Sequence, residues 1–420
     1  MRPPNIVIIL ADDMGYGDLG CYGNTMIKTP NIDGLASAGM RFTDFHSNGA
    51  VCSPTRAALL TGRYQQRCGI EGVVTAANHR DVGMALSEYT FAKGLKEAGY
   101  QTALFGKWHL GYDRQFNPVR HGFDEFRGFV SGNVDYQSHI DQAGVEDWWF
   151  DASLAPEDGY TTDLVTRYGV RFIEGHREDP FCLYLAHECP HYPYQGPDDP
   201  AFRTPGHPEP VQGPREDRAA AYKEMIEALD QGVGEVMRAL DRSGLRENTL
   251  VFFFSDSGPA GPGSAGGLRG RKGSVWEGGH RVPAIACWPG RVGPATETDH
   301  PAMGMDLFPT MLELAGLAPP ETPRLDGVSL APLLTGAGSM TERDLFWRCG
   351  NGKAVRRGDW KLVVSPEDGP SSANTELFNL AVDPAEANDI AGSEPTITEE
   401  LSRALEAWEA DVSAGVRRLT

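Results

Sequence analysis

Five short apolar segments stand out in the pattern of hydrophobic and polar positions along the chain. They are rich in β-branched and aromatic residues and lack polar alternation, which is typical of strands buried on both faces of a parallel sheet. They cover residues 5–11, 102–105, 181–186, 250–254 and 282–287. Helical periodicity occurs between them, at residues 90–98, 160–174 and 219–242. Strands that alternate with helices predict an α/β fold, in which a mixed, mostly parallel sheet is sandwiched by helices.

The composition changes near residues 317–339, where Pro, Gly and small residues are frequent. Beyond this stretch, LFWRCGNGKAVRRGDWKLVV predicts an antiparallel meander with a turn at Arg357, Gly358 and Asp359. A helix is predicted over 397–414, with Gly415 as its stop. We therefore predict a large domain over residues 1–339 and a small C-terminal α+β subdomain over residues 340–420.

The net charge of −20 over 420 residues argues against nucleic acid or an anionic membrane surface as a partner. A chain this acidic must concentrate positive charge locally if it binds an anion. Its longest apolar run, residues 6–11, is far too short to cross a bilayer. Because no apolar leader with a cleavage site precedes the first strand, we expect a cytoplasmic protein from the sequence as given. If a leader has been removed, we expect a periplasmic or secreted one.

Polar side chains follow four of the predicted strands, at the point where each strand ends. In open parallel sheets, ligands bind beyond the carboxyl ends of the strands, so these side chains are expected to share one site. They are Asp12 and Asp13 after the first strand, Lys107 and His109 after the second, His187 and His191 after the third, and Asp256 and Ser257 after the fourth.

Three carboxylates, those of Asp12, Asp13 and Asp256, would converge at this edge. Alone they would repel one another and raise one another's pKa, and a hard divalent cation resolves that conflict. Oxygen ligands suit Ca²⁺, or less favourably Mg²⁺, better than zinc. The alternative for a pair of aspartates is an N-cap in a solvated turn.

Cys52 is one of seven scattered cysteines without zinc-type spacing, and we expect all of them to be free thiols. It stands directly before a predicted helix, in the string C-S-P-T-R, with Pro54 suited to the first helical turn. Helix N-termini favour anions, and Arg56 lies one turn further on, so both side chains can face one pocket. The alternative is a cysteine that serves as a small buried hydrophobe.

The imidazoles of His109 and His191 are candidate proton shuttles, because imidazole titrates near neutral pH. Lys272 lies in the Gly-rich segment GLRGRKGSVWEGGHRVP. Each of these residues taken alone is more often structural or simply solvated.

Together, the motifs DD, C-x-P-x-R, GKWHLG, PHxP, SD-x-G and K-x-x-x-WEGG-x-RVP resemble the type I, formylglycine-dependent sulfatases from end to end. The resemblance runs from Asn5 to Pro283 and resumes in AVRRGDWKLV and ELFNLAVDPAE. It implies the alkaline-phosphatase-like fold and hydrolysis of organic sulfate monoesters.

The resemblance also implies a role for each matching residue. Cys52 would be oxidised to formylglycine by a formylglycine-generating enzyme, and its hydrate would attack sulfur. The implied Ca²⁺ ligands are Asp12, Asp13, Asp256, Ser257 and the modified residue 52. Arg56 and Lys107 would hold residue 52 and developing charge, His191 and Lys272 would contact the sulfate, and His109 would take the proton that releases it. Ser257 departs from the Asn common in the family, which predicts weaker metal binding.

The substrate is expected to be a sulfated carbohydrate more than a small aryl sulfate. The pocket walls are predicted from residues 121–149 and 192–218, where aromatic side chains alternate with polar ones. Trp148, Trp149 and Phe150 would face a sugar or belong to the core. Alternatives for the whole protein are a phosphodiesterase or phosphonate monoester hydrolase of the same superfamily, a non-catalytic sulfated-glycan binder, or a hydrolase with a Cys–His thiolate.

Overall fold

The computed structural model of the chain describes residues 2–366, 373–414 and 416. The larger sheet contains β1 (Asn5–Ala11), β2 (Met40–His46), β3 (Gln101–Lys107), β4 (Glu125–Phe129), β5 (Trp149–Phe150), β6 (Ser153–Leu154), β7 (Phe181–Ala186), β8 (Thr249–Ser255), β9 (Arg281–Cys287), β10 (Thr296–Thr298) and β11 (Ala302–Met303). The smaller sheet contains β12 (Leu345–Cys349), β13 (Gly352–Arg357), β14 (Trp360–Pro366) and β15 (Ala373–Asn379). The α-helices are α1 (Pro30–Ser37), α2 (Cys52–Thr61), α3 (Phe91–Glu97), α4 (Thr161–Gly175), α5 (Arg218–Arg242), α6 (Glu277–His280), α7 (Leu307–Leu314), α8 (Ala331–Thr335) and α9 (Pro395–Ser413).

The larger sheet is parallel at its centre and has antiparallel pairs on both sides of it, while β10 and β11 pair in parallel with β2. Its strand order is β10-β2-β9-β8-β1-β7-β3-β4-β5-β6, with β11 paired to β2. All pairs from β8 to β4 are parallel, whereas β9 runs antiparallel to both β8 and β2. The predicted α/β fold with a mixed, mostly parallel sheet is confirmed, and the predicted strands and helices match the observed ones to within two residues at each end.

Alternate residues of β1 face opposite layers of helices, because successive side chains of a strand point to opposite sides. Val7 and Ile9 pack into a core shared with α1, α4 and α5. Ile6 and Ile8 pack into a second core with α2, α3 and α7. Burial on both faces explains why the segment is apolar throughout, and the two helical layers confirm the predicted sandwich.

The smaller sheet is an antiparallel meander in the order β12-β13-β14-β15, as the sequence predicts. Its predicted turn lies between β13 and β14, where Gly358 has a φ of 55°. The sheet and α9 share a third core with Ala58 and Tyr64 of the larger domain. The C-terminal sheet therefore shares a hydrophobic core with one residue of α2. The predicted helix stop, Gly415, lies outside the described residues.

All seven cysteines are free, which agrees with the sequence-based expectation. Across residues 2–366, 373–414 and 416, we find no helix with both the length and the apolar character that a membrane span requires.

Candidate active site

The carboxylates of Asp12, Asp13 and Asp256 meet at the carboxyl edge of the larger sheet. Ala11 of β1 pairs with Ser255 of β8, so the residues that follow them, Asp12 and Asp256, lie side by side. The backbone of Asp13 is left-handed, with φ 65°, and its amide donates to Asp256 Oδ1 at 3.3 Å. Oxygens of the three carboxylates all lie within 4.8 Å of one another, and each residue is at most 1% exposed. The convergence predicted from the strand ends is therefore present.

Three basic side chains contact these carboxylates, and Arg56 lies near two of them, 2.9 Å from Asp256 Oδ2 and 3.6 Å from Asp12 Oδ2. Arg56 donates to Asp256 Oδ2 through Nε at 3.1 Å and Nη2 at 2.9 Å. Lys107 donates to Asp12 Oδ2, and Lys272 Nζ lies 2.7 Å from both oxygens of Asp13. Charges of opposite sign balance one another among these groups, so a divalent cation would give the site a net positive charge suited to an anion.

Cys52 is the first residue of α2, as predicted, with Val51 as an extended N-cap. The preceding backbone is fixed by Thr55, whose hydroxyl accepts from the Gly49 amide at 3.1 Å and donates to the Gly49 carbonyl at 2.8 Å. Cys52 is 2% exposed, and its Sγ lies within 4.8 Å of ligand atoms of Asp12 and His191. The Cys52 thiol and the carboxylates therefore belong to one site.

Burial raises the pKa of the Cys52 thiol, although Lys107 and Lys272 oppose this effect. A reactive thiolate requires the reverse shift. The electrostatics therefore argue against the alternative of a Cys–His hydrolase.

The donor set fits a hard cation. Burial alone would raise the pKa of Asp12, but the charges of Lys107 and Arg56 hold it well below its usual range. Burial and the Asp12 carboxylate raise the pKa of Asp256 to about 7. Asp12 Oδ1 is buried and has no hydrogen-bond partner among the described residues. A buried carboxylate oxygen without a partner, beside two other carboxylates, is what an oxygen-seeking cation such as Ca²⁺ or Mg²⁺ would satisfy.

Ser257 lies at the same edge, and its hydroxyl donates to Asp13 Oδ1 at 3.0 Å. Its predicted role as a metal ligand stays a prediction. Its observed contact orients Asp13 within the carboxylate group.

His109 has a free ring nitrogen at the site. Its Nε2–H donates to the Val74 carbonyl at 3.0 Å, which leaves Nδ1 as the basic nitrogen, and Nδ1 has no partner among the described residues. Burial and the Lys107 charge hold the pKa of His109 well below its usual range, so the ring is neutral. A neutral imidazole with an unengaged lone pair is suited to accept a proton.

His191 is likewise neutral in this structure. Its Nδ1–H donates to the Tyr192 carbonyl at 2.6 Å, and its Nε2 lies 3.6 Å from Asp13 Oδ2. Burial and the Lys272 charge lower the pKa of His191 to about 4. The Lys272 side chain is 18% exposed, whereas that of Asp13 is 1% exposed, so the site opens to solvent beside Lys272.

The structure adds supporting residues that the sequence analysis did not single out. Asp18 accepts from the Gly15 amide at 2.7 Å and from the Tyr222 hydroxyl at 2.6 Å, and so fixes the turn after the paired aspartates. The sequence feature that could have indicated this role is the position of Asp18 in ADDMGYGDLG, shortly after the paired aspartates. Val74, whose carbonyl orients His109, carries no sequence signal because it acts through its backbone.

Two aromatic candidates for the substrate pocket belong to the core. Trp148 and Trp149 are 2% and 8% exposed and pack into the two core clusters of the larger sheet. Phe150 is 41% exposed and lies under the Arg127 guanidinium, 3.3 Å from its ring centroid. The core interpretation therefore holds for both tryptophans and not for Phe150.

Comparisons with known proteins find relatives along most of the chain. Residues 4–317 match the family model Sulfatase, and residues 271–411 match the model N-sulphoglucosamine sulphohydrolase, C-terminal. Arylsulfatase A of Homo sapiens is 36% identical over 454 residues, covering 96% of this chain and 86% of that protein. N-acetylgalactosamine-6-sulfatase of Canis lupus familiaris is 36% identical over 387 residues, covering 86% of this chain and 71% of that protein. The crystal structure of Ps i-CgsB in complex with k-i-k-neocarrahexaose matches with a TM-score of 0.88 at 30% identity, covering 100% of this chain and 96% of that one.

Proposed function

Because the chain belongs to the sulfatase family and is therefore a sulfuric ester hydrolase, we propose that it removes sulfate from sulfated carbohydrates. We further propose that the nucleophile is a formylglycine derived from Cys52 and that Ca²⁺ is bound beside it. Two similar proteins support the carbohydrate assignment. One is named N-acetylgalactosamine-6-sulfatase, and the other was crystallised in complex with k-i-k-neocarrahexaose.

The observation that carries the proposal is the setting of residue 52. Its side chain lies at the start of α2, within 4.8 Å of ligand atoms of Asp12 and His191, where its own thiol pKa is raised. An unmodified cysteine is a poor nucleophile there, whereas a hydrated aldehyde carries the hydroxyl that such chemistry needs. Maturation would require a formylglycine-generating enzyme as a partner.

Asp12, Asp13 and Asp256 would hold the cation, with residue 52 and Ser257 as further ligands. Bound Ca²⁺ would neutralise sulfate oxygens and lower the pKa of a hydroxyl placed beside it. The unpartnered Asp12 Oδ1 supports this assignment.

The basic side chains take two roles. Arg56 and Lys107 are fully buried and hold Asp256 and Asp12 in place, while their charge offsets negative charge that develops near residue 52. Lys272, at the opening, is suited to receive the sulfate group of the substrate.

The two imidazoles move protons at different stages. A bound sulfate ester places negative charge beside His191 and raises its pKa, so that His191 becomes protonated and can donate to the leaving oxygen. His109, with its unengaged Nδ1, is suited to accept a proton from residue 52 when sulfate is released.

The first test is mass spectrometry of the peptide that contains residue 52, on protein co-expressed with a formylglycine-generating enzyme. We expect the aldehyde at this position and turnover of sulfated oligosaccharides that Cys52→Ala abolishes. The matched control is Cys182→Ala, because Cys182 is equally buried but lies within β7. Full activity with an unmodified cysteine at 52 would contradict the proposal.

Side-by-side kinetics separate the remaining candidates. Faster turnover of aryl phosphonate esters than of any sulfate ester would identify a phosphonate monoester hydrolase. Binding of sulfated glycans without turnover by protein carrying the aldehyde would identify a glycan binder. Loss of activity with a chelator, restored by Ca²⁺ more fully than by Mg²⁺, is expected for the proposed cation.

A further inference from the structure

A buried polar network joins the larger domain to the C-terminal sheet, away from the carboxylate site. Its members come from three places in the chain and are at most 6% exposed at their side chains. They are Asp44 and His46 of β2, Glu277 and His280 of α6, Arg356 of β13 and Lys361 of β14. None of them has a role in the chemistry proposed above.

The hydrogen bonds of this network have one consistent direction. The Lys361 ammonium can only donate, so at 3.1 Å it donates to His280 Nε2. His280 Nδ1–H then donates to His46 Nδ1 at 3.0 Å, and His46 Nε2–H donates to Asp44 at 2.8 Å. Arg356 completes the chain with bonds of 2.7 and 2.6 Å to the two Asp44 oxygens. In this assignment both imidazoles are neutral, and two further contacts, His280 Nε2 to the Val275 carbonyl at 3.2 Å and His46 Nε2 to Arg356 Nη1 at 3.3 Å, are not hydrogen bonds.

His46, Glu277 and His280 have the spacing of a metal site. The Lys361 ammonium, however, lies 2.8 Å from Glu277 and 2.8 Å from Glu386. The ring nitrogens of His46 and His280 are all engaged in the hydrogen bonds described above, so neither imidazole has a lone pair free for a metal ion. The network is better explained as a set of hydrogen bonds that fixes β2, α6 and the C-terminal sheet relative to one another.

The network contacts the backbone that precedes residue 52. The His280 ring stacks on Trp347 of β12, with centroids 4.1 Å apart and an interplanar angle of 18°. Trp347 Nε1–H donates to the Ser47 carbonyl at 3.0 Å, and the Ser47 amide donates to the His280 carbonyl at 2.8 Å. The Gly273 amide donates to the Ala50 carbonyl at 2.8 Å, so the Lys272 loop is attached to the same segment.

We propose that Trp347, stacked on the His280 ring, is a positioning residue for residue 52, through which the C-terminal sheet sets the start of α2. The inference rests on the proposed role of residue 52 as the nucleophile. Losing the indole N–H leaves the Ser47 carbonyl buried without that donor, and the segment shifts to find another. A displacement of about 1 Å at a nucleophile costs up to about 100-fold in rate.

The test is Trp347→Phe, which keeps an aromatic ring against His280 and removes the donor to Ser47. Trp408→Phe is the matched control: Trp408 packs in the same core cluster, is 6% exposed, and its Nε1 has no hydrogen-bond partner among the described residues. Both variants lose the same atoms from the same core, but only Trp347→Phe also leaves the Ser47 carbonyl without its donor, so its loss of thermal stability is expected to be the larger.

We expect Trp347→Phe to lower kcat about tenfold, or about 1.4 kcal/mol, per aldehyde-containing molecule, with KM changed less than twofold. Trp408→Phe should leave both constants within twofold. Equal effects on kcat in the two variants would overturn the proposal. If Trp347→Phe does not fold, β-(3-benzothienyl)alanine at position 347 removes the N–H while keeping the shape of the indole, and the same kcat loss is expected.

Hydrogen exchange gives a readout that does not depend on activity. Amides of residues 47–52 should exchange faster in Trp347→Phe than in wild type and Trp408→Phe. Unchanged exchange together with unchanged kcat would refute the positioning role. Absence of sulfate turnover by modified wild-type protein would instead refute the proposed function, and the exchange comparison would still decide the positioning role.

Discussion

The buried histidine His121 predicts a specific dependence of stability on pH. It is fully buried beside Trp108, with ring centroids 5.2 Å apart, and neither ring nitrogen has a hydrogen-bond partner among the described residues. Burial lowers the pKa of His121 from 6.5 to about 3. Between these values the unfolded chain binds a proton that the native chain does not, so stability falls as the pH falls below the unfolded value.

The size of this effect follows from the two pKa values. Between pH 7 and pH 5 the unfolded imidazole becomes almost fully protonated while the native one stays neutral, which lowers the free energy of unfolding by about 2 kcal/mol. His121→Phe keeps an aromatic ring and removes this contribution. We expect urea unfolding to show that the variant loses about 2 kcal/mol less than wild type between the two pH values.

The control for this prediction is Phe123→Leu, a change in the same core cluster that carries no titratable group. It should lower the free energy of unfolding by the same amount at both pH values. If His121→Phe loses as much stability as wild type between pH 7 and pH 5, the assignment of His121 as a buried neutral imidazole is wrong.

Two further predictions concern the active site. Ser257→Asn should retain activity and bind Ca²⁺ about tenfold more tightly, because an amide carbonyl is a stronger ligand than a hydroxyl; a calorimetric titration with unchanged affinity would contradict this. Gly132→Ala should lower kcat with little change in KM, because the added Cβ would lie 2.8 Å from His109 Nε2 and displace the imidazole. Gly72→Ala, where the Cβ meets nothing within 4 Å, is its control, and equal kcat in the two variants would argue against His109 as the base.

The sheet centre could be predicted from the sequence because its strands are buried on both faces. Such strands are continuous apolar runs that end abruptly at a charged residue, as β1 ends at Ala11 before Asp12. Each run therefore marks a strand, and the polar residues that follow it mark candidate functional side chains. Because β1 and β8 pair in parallel, Ala11 at the end of β1 lies beside Ser255 at the end of β8.

Strand β2 could not be predicted in the same way. Its sequence, MRFTDFH, contains polar residues because part of it is only half-buried and pairs antiparallel with β9. The sequence analysis therefore did not single out Asp44 or His46. Their partner Arg356 lies 312 and 310 residues further along the chain, and no local pattern reveals a contact of that separation.

The substrate pocket could be predicted least. Trp148 stacks on His139, with ring centroids 4.2 Å apart, and belongs to the core. The residues around it in the sequence are nevertheless polar, as they are in loops that bind sugars. Aromatic residues beside polar ones are typical of both settings. Only the packing of distant segments distinguishes them.

The bond between Trp347 and the Ser47 carbonyl spans 300 residues and has a consequence for the order of events during synthesis. Ribosomes add about 5–20 residues each second, so Ser47 waits about 15–60 seconds for its partner to be made. During that interval the segment that leads to residue 52 lacks this bond to the C-terminal sheet. If residue 52 is matured as proposed, we expect the modifying enzyme to reach it most readily on the growing chain, and a chain that ends before Trp347 cannot form this bond.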